Sequence, residues 1–112
     1  MEQPNLFSFD DFPQAKPADS HLSIEDRFAQ FHASNPQVFE AIRAIALDLK
    51  SRGWKRAGMK AIFERIRWEY AMRTNGESYL LNNTFTAHYS RLLMDREPSL
   101  AGFFETRERR AA

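Results

Sequence analysis

The stretch LLNNTFTAHYSRLLMDREP, residues 80–98, places polar side chains that can contact nucleic-acid bases just ahead of an apolar run. Asparagine can form two hydrogen bonds with adenine, arginine can do the same with guanine, and a threonine methyl group can touch thymine. The stretch therefore predicts a base-contacting helix, with the candidate residues Asn82, Asn83, Thr84, Thr86, His88 and Arg91. The alternative is that the two asparagines only cap this helix, while the other side chains pack or face water.

A basic segment precedes this stretch. Residues 50–73 hold eight basic and two acidic residues, a net charge of +6, whereas the whole chain carries only +1. Phosphates are bound mainly through charge, so the segment predicts DNA as a partner. The candidate phosphate contacts are Lys55, Arg56, Lys60 and Arg65. The alternative is a solvated helix surface on which Glu64 and Glu69 pair with nearby arginines.

The sequence gives little sign of catalysis or metal binding. None of its three histidines forms the paired i, i+4 arrangement of a helical metal site. Its four glycines are scattered rather than gathered in a phosphate-binding loop, and it has no cysteine. We therefore expect no enzymatic activity, no cofactor and no metal.

The N-terminal residues 1–22 have a different composition from the rest. They contain three prolines and a net charge of −3, with no helical or alternating period, which predicts a flexible acidic tail. Aromatic and aliphatic side chains in such a tail often dock into a groove on a partner, and this tail has Leu6, Phe7, Phe9 and Phe12.

Part of this tail resembles a known docking peptide. Gln3, Leu6 and Phe7 match three positions of the short motif by which bacterial replication and repair proteins bind the sliding clamp, although Pro4 replaces the usual leucine. The resemblance implies a host protein, the sliding clamp, as a partner. It supports a second hypothesis, in which the protein is a protein-binding module or an inhibitor of a host factor.

Hydrophobic spacing predicts helices for the remainder. Ser23 is a candidate cap for a first helix, Asn35-Pro36 for the start of a second, and Gly53 for its end. The stripe Met59, Ile62, Phe63, Ile66 and Tyr70 predicts a third helix. A fourth starts at Asn82 or Asn83 and stops before Pro98, and Leu100, Phe103 and Phe104 close the core. The expected fold is an all-α bundle of four to five helices, with a helix-turn-helix-like pair as one possible arrangement, over residues 23–106. Residues 107–112 form a charged tail.

Trp68 lies off the stripe of the third helix, about 200° around the helix from Ile66. We expect it to pack against a second side of the bundle, because an exposed tryptophan is uncommon without a partner. The alternative is an exposed patch.

Three stretches, FAQFHASNPQVFEAI, KAIFERIRWEYAMRT and YLLNNTFTAHYSRLLMDREPSLAGFFETRE, resemble a family of small uncharacterised proteins of bacteriophages and prophages. The resemblance spans about residues 25–108 and rests on Phe31-His32, Asn35-Pro36, Arg65 to Glu69, Asn82-Asn83, Tyr89 to Arg91 and Gly102 to Phe104. It implies a phage or prophage origin and the bacterial cytoplasm, but no activity or ligand. Absence of a signal-peptide pattern and of a run of about 18 apolar residues fits this location.

Overall fold

The computed structural model describes residue 9 and residues 11–104, and over these residues the chain forms four α-helices and no strand. Helix α1 spans Ile24–Ser34, α2 Pro36–Ser51, α3 Met59–Arg73 and α4 Thr86–Arg96. Short 3₁₀ turns occupy Asn83–Phe85 and Pro98–Leu100. The predicted small all-α bundle is confirmed. Within the described ranges, no helix is both long and apolar enough to cross a membrane.

Local signals set most helix ends. The Ser23 hydroxyl accepts a hydrogen bond from the Asp26 backbone N–H at 3.1 Å, which caps α1 as predicted. Pro36 occupies the first turn of α2, where its missing N–H costs nothing. Gly53 follows α2 with a φ of +97°, a left-handed conformation that favours glycine. Gly76 ends the α3 region in the same way, with a φ of +83°.

The core forms where α3 packs against its neighbours. All five residues of the predicted α3 stripe are buried, and Tyr89 and Leu93 of α4 are fully buried beside them. The Phe63 and Tyr89 rings lie 5.9 Å apart, while Arg67 of α3 hydrogen-bonds Asn83 just before α4. These two contacts show that α4 runs antiparallel to α3.

Part of the predicted N-terminal tail packs onto the bundle. The described residues 11–22 contain no helix or strand, but their Phe12 and Ala15 are buried in the core. Phe12 is buried, with its ring 5.1 Å from that of Tyr79 and 5.0 Å from that of Phe9. The Tyr79 hydroxyl donates to the Pro13 carbonyl at 2.8 Å, and burial raises the pKa of Tyr79 to about 12. Phe9 and Phe12 therefore pack against residues of their own chain, rather than docking into a groove on a partner.

Asn35 fastens this segment to the helices. Its side chain is fully buried and does not cap α2, although its position before Pro36 predicts a cap. Instead its Oδ1 accepts from the Lys16 N–H at 2.7 Å, and its Nδ2 donates to the carbonyls of Lys16 and Phe31, both at 2.9 Å. One buried amide thus joins α1, the α1–α2 junction and the N-terminal segment.

The C-terminal part closes the core as expected. Leu100, Phe103 and Phe104 are buried, and the Ala57 N–H donates to the Phe103 carbonyl at 3.0 Å. This places residues 101–104 beside the connection between α2 and α3. Residues 105–112, which include the predicted charged tail 107–112, lie outside the described residues.

Candidate nucleic-acid interface

The predicted phosphate contacts lie on the connection 52–58 and on the outer side of α3. Lys55 and Arg56 are exposed in the connection, and Lys60 and Arg65 are exposed on α3. In the described part of the chain, none of these four side chains has an ion-pair partner. Their charges are therefore available to an external anion.

Within the described residues, one glutamate of the basic segment pairs with a nearby arginine, as the alternative expects. Glu64 pairs with Arg67, with 3.3 Å between the guanidinium nitrogen and the carboxylate oxygen. Arg67 also donates to the Leu81 carbonyl and, at 3.2 Å, to Oδ1 of Asn83. This arginine thus holds the α3–α4 connection, whereas Lys60 and Arg65 are left unpaired in the described residues.

Trp68 is 66% exposed, so the expectation that it packs a second side of the bundle is wrong. At 100° per residue, the buried stripe of α3 faces one way and Trp68 faces the other, and none of the described elements covers that side. Met72, one turn further along, is 67% exposed. We call Lys60, Ala61, Glu64, Arg65, Trp68 and Met72, all exposed, the outer face of α3; its one acidic residue, Glu64, pairs with Arg67.

A second exposed tryptophan stands in the connection. Trp54 is 53% exposed and directly precedes Lys55 and Arg56. Aromatic rings beside basic side chains form the usual platform for unpaired bases, since the ring stacks on a base while the cations meet the phosphates. Neither tryptophan was a predicted site residue. The 200° offset of Trp68 was the sequence signal that could have identified it.

Three of the predicted base-contacting residues are engaged in local hydrogen bonds. Asn82 Oδ1 accepts from the Thr84 N–H at 2.8 Å and caps the first 3₁₀ turn, and Asn83 accepts from Arg67. The Thr86 hydroxyl donates to the Asn83 carbonyl at 3.1 Å. Of the two asparagines, only Asn82 acts as a cap, and it caps the 3₁₀ turn; α4 itself begins at Thr86, three or four residues later than expected, without a side-chain cap.

The other candidates of this stretch differ in exposure. His88 is half-buried, with its ring 5.1 Å from that of Phe28 and 6.3 Å from that of Phe85. Thr84 and Arg91 are exposed, and Arg91 has no ion-pair partner within residues 11–104. Arg91 is therefore the candidate on α4 best placed to contact a ligand.

The two connections that flank α3 are longer than the turn of a helix-turn-helix unit. Seven residues, 52–58, separate α2 from α3, and nine, 74–82, separate α3 from the first 3₁₀ turn. The standard unit joins its helices through a turn of about three to four residues. The exposed basic surface is therefore a better candidate for a nucleic-acid interface than a helix-turn-helix arrangement of these helices.

Comparison of the chain with protein-family models, with curated proteins and with solved structures finds no match. Among the described residues, no three histidine, aspartate or glutamate side chains are grouped so that they could hold a metal ion. The predicted clamp-binding residues Gln3, Leu6 and Phe7 lie outside the described residues.

Proposed function

We propose that this protein binds DNA through the connection 52–58 and the outer face of α3. The observation that carries the proposal is the set of four exposed basic side chains, unpaired within the described chain, beside two exposed tryptophans. In keeping with the resemblance to phage and prophage proteins, we place it in the bacterial cytoplasm as a regulator or DNA-handling accessory.

Single-stranded DNA fits this surface better than a duplex. Stacking needs the open π-face of a base, which a duplex hides and a single strand presents. Trp54 and Trp68 offer such stacking surfaces, while Lys55, Arg56 and Lys60 supply charge for the backbone. Helix α4 has a secondary role limited to exposed side chains such as Arg91, because Thr86 and the two asparagines that precede α4 form local hydrogen bonds.

The test is fluorescence anisotropy with labelled single-stranded and duplex DNA, titrated across salt concentrations. If four cations each meet a phosphate, the logarithm of the affinity should fall against the logarithm of salt concentration with a slope of about −3 for a single strand. Lys60→Ala should weaken binding to all sequences alike and reduce that slope by about 0.7. Trp68→Ala should weaken single-strand binding by roughly 5- to 100-fold while leaving the slope unchanged.

Matched controls separate this surface from general charge effects. Lys16→Ala removes one exposed positive charge from the N-terminal segment and should leave both affinity and slope within about 2-fold of the parent, because Lys16 lies outside the proposed surface. Arg91→Ala tests the contribution of α4, since a base-contacting residue alters sequence preference rather than salt dependence. An absence of binding even at low salt, with the chain folded, would refute the proposal.

A protein-binding module is the second candidate function. The exposed Trp68 and Met72 favour it, because adjacent exposed apolar side chains often mark a protein contact. Binding to a purified sliding clamp should then be measured with the full chain and with a chain lacking residues 1–8. The deletion must stop there, since removing residues 1–22 would also remove Phe12 and Ala15 from the core. Clamp binding that is lost with residues 1–8, together with no DNA binding, would support this function.

A further inference from the structure

A surface cavity of about 500 Å³, half open to solvent, lies on the side of the bundle built by the N-terminal segment. Its walls come from residues 17–20, from α1 and from residues 79–85, and its apolar lining includes Phe31, Leu81 and Phe85. This volume falls within the range of roughly 300 to 1,000 Å³ that holds small organic ligands. The cavity contains none of the residues of the proposed DNA surface.

Arg27 of α1 is the only charged side chain among the described residues that line the cavity. Its Nε is buried and has no hydrogen-bond partner among the described residues. A buried donor without a partner is unfavourable, and a guanidinium group favours carboxylate, sulfonate or phosphate oxygens, which its forked N–H groups can bind in pairs. Arg27 also has no ion-pair partner within the described residues, so the cavity lining contains a guanidinium group whose charge is not neutralised locally.

Two of the other polar side chains of the lining already form hydrogen bonds, whereas Ser20 and Thr84 lie exposed at its edge. The Tyr79 hydroxyl donates to the Pro13 carbonyl and accepts from Gln37, and Asn82 Oδ1 accepts from Thr84. These groups offer little to a polar ligand, whereas the buried aromatic and aliphatic side chains offer apolar contact. The lining is thus suited to a ligand that is apolar over most of its surface and anionic at one end.

We propose that this cavity binds a small organic anion with an apolar body, and that Arg27 binds its anionic group. The apolar part, an aromatic ring system or a branched hydrocarbon, packs among Phe31, Leu81 and Phe85. This site is independent of the proposed DNA surface, so either can exist without the other.

Two related dyes test the proposal. Anilinonaphthalene sulfonate carries an apolar body and one sulfonate, and N-phenyl-1-naphthylamine has a similar body without the charge. Fluorescence titration of the full chain should show saturable binding of the sulfonate dye. Arg27→Gln should weaken that binding about 10-fold or more, the loss expected for a hydrogen bond to a charged group, and change binding of the uncharged dye less than about 2-fold.

Control variants make the result specific. Arg43→Gln removes an arginine on α2 that pairs with Glu97, outside the cavity, and should leave both dyes unaffected. Ala18→Trp should fill the cavity and reduce binding of both dyes. Amide chemical shifts should change around residues 17–20 and 79–85 when the sulfonate dye binds. Equal binding by the parent and Arg27→Gln, or shift changes confined to other regions, would overturn the proposal.

Discussion

Replacement of Asn35 by alanine tests the claim that one buried amide fastens the N-terminal segment to the bundle. The substitution removes three side-chain hydrogen bonds, two to Lys16 and one to the Phe31 carbonyl. It leaves the N–H and carbonyl groups of Lys16 without these partners. We expect the segment to loosen while the four helices persist.

The magnitude follows from these three bonds. Each contributes about 1 kcal/mol net, so their complete loss costs about 3 kcal/mol. Lys16 is an exposed residue, so water can replace part of the hydrogen bonding that its backbone N–H and carbonyl lose. We therefore expect the free energy of unfolding to decrease by about 2–3 kcal/mol. For a domain of this size that corresponds to a fall in Tm of roughly 10–20 °C.

Urea and thermal unfolding measure this loss, and amide hydrogen exchange locates it. The Lys16 amide, which donates directly to Asn35, should lose its protection. Asn82→Ala is the matched control, because it removes one exposed capping hydrogen bond and should cost less than about 1 kcal/mol. If Asn35→Ala costs under about 0.5 kcal/mol, or the Lys16 amide stays protected, the reasoning fails.

Two further predictions concern buried polar groups. Tyr89→Phe removes a buried hydroxyl that lacks a partner among the described residues, so it should stabilise the fold by about 1 kcal/mol. Tyr79→Phe removes the hydrogen bond to the Pro13 carbonyl, so it should destabilise the fold by about 1–2 kcal/mol. Urea denaturation measures both changes in the free energy of unfolding, and changes of the same sign would contradict the prediction. Burial, aided by the nearby charge of Arg96, lowers the pKa of His32, so the unfolded chain takes up the proton first. The stability that His32 contributes is present above about pH 6.5 and is lost as the pH falls further. His32→Gln should therefore reduce the pH dependence of the denaturation midpoint between pH 7.5 and 5. An unchanged pH dependence would refute this role of His32.

Features fixed by neighbours in sequence could be predicted. The Ser23 cap, the proline at the start of α2 and the buried stripe of α3 each depend on residues within a few positions, and all three are confirmed. The exposure of Lys60 and Arg65 also follows from the α3 stripe, since 100° per residue places them away from the core. Local periodicity was therefore sufficient to predict the helices and the exposure of these charged side chains.

Features fixed by distant residues could not be predicted. Phe12 is buried because Tyr79, far along the chain, provides its contact surface, and nothing within residues 1–22 signals this. Asn35 has the local pattern of a cap, but its amide bonds Lys16, 19 positions away. Trp68 is a different case, because its helical angle, opposite the buried stripe, is a local signal that indicates exposure.

The distribution of charge differs between the two proposed sites, so each site suits a different ligand, DNA on α3 and a small organic anion in the cavity. The cavity lining has one charged side chain among its described residues, Arg27. One cation suits a small ligand with a single charge and an apolar body, whereas a DNA strand is bound through several cations. The outer face of α3 has the opposite character, because Lys60 and Arg65 are unpaired in the described chain and Trp68 is open. Loss of Arg27 should therefore affect only the small anion, and loss of Lys60 only the DNA, so each proposal can fail without the other.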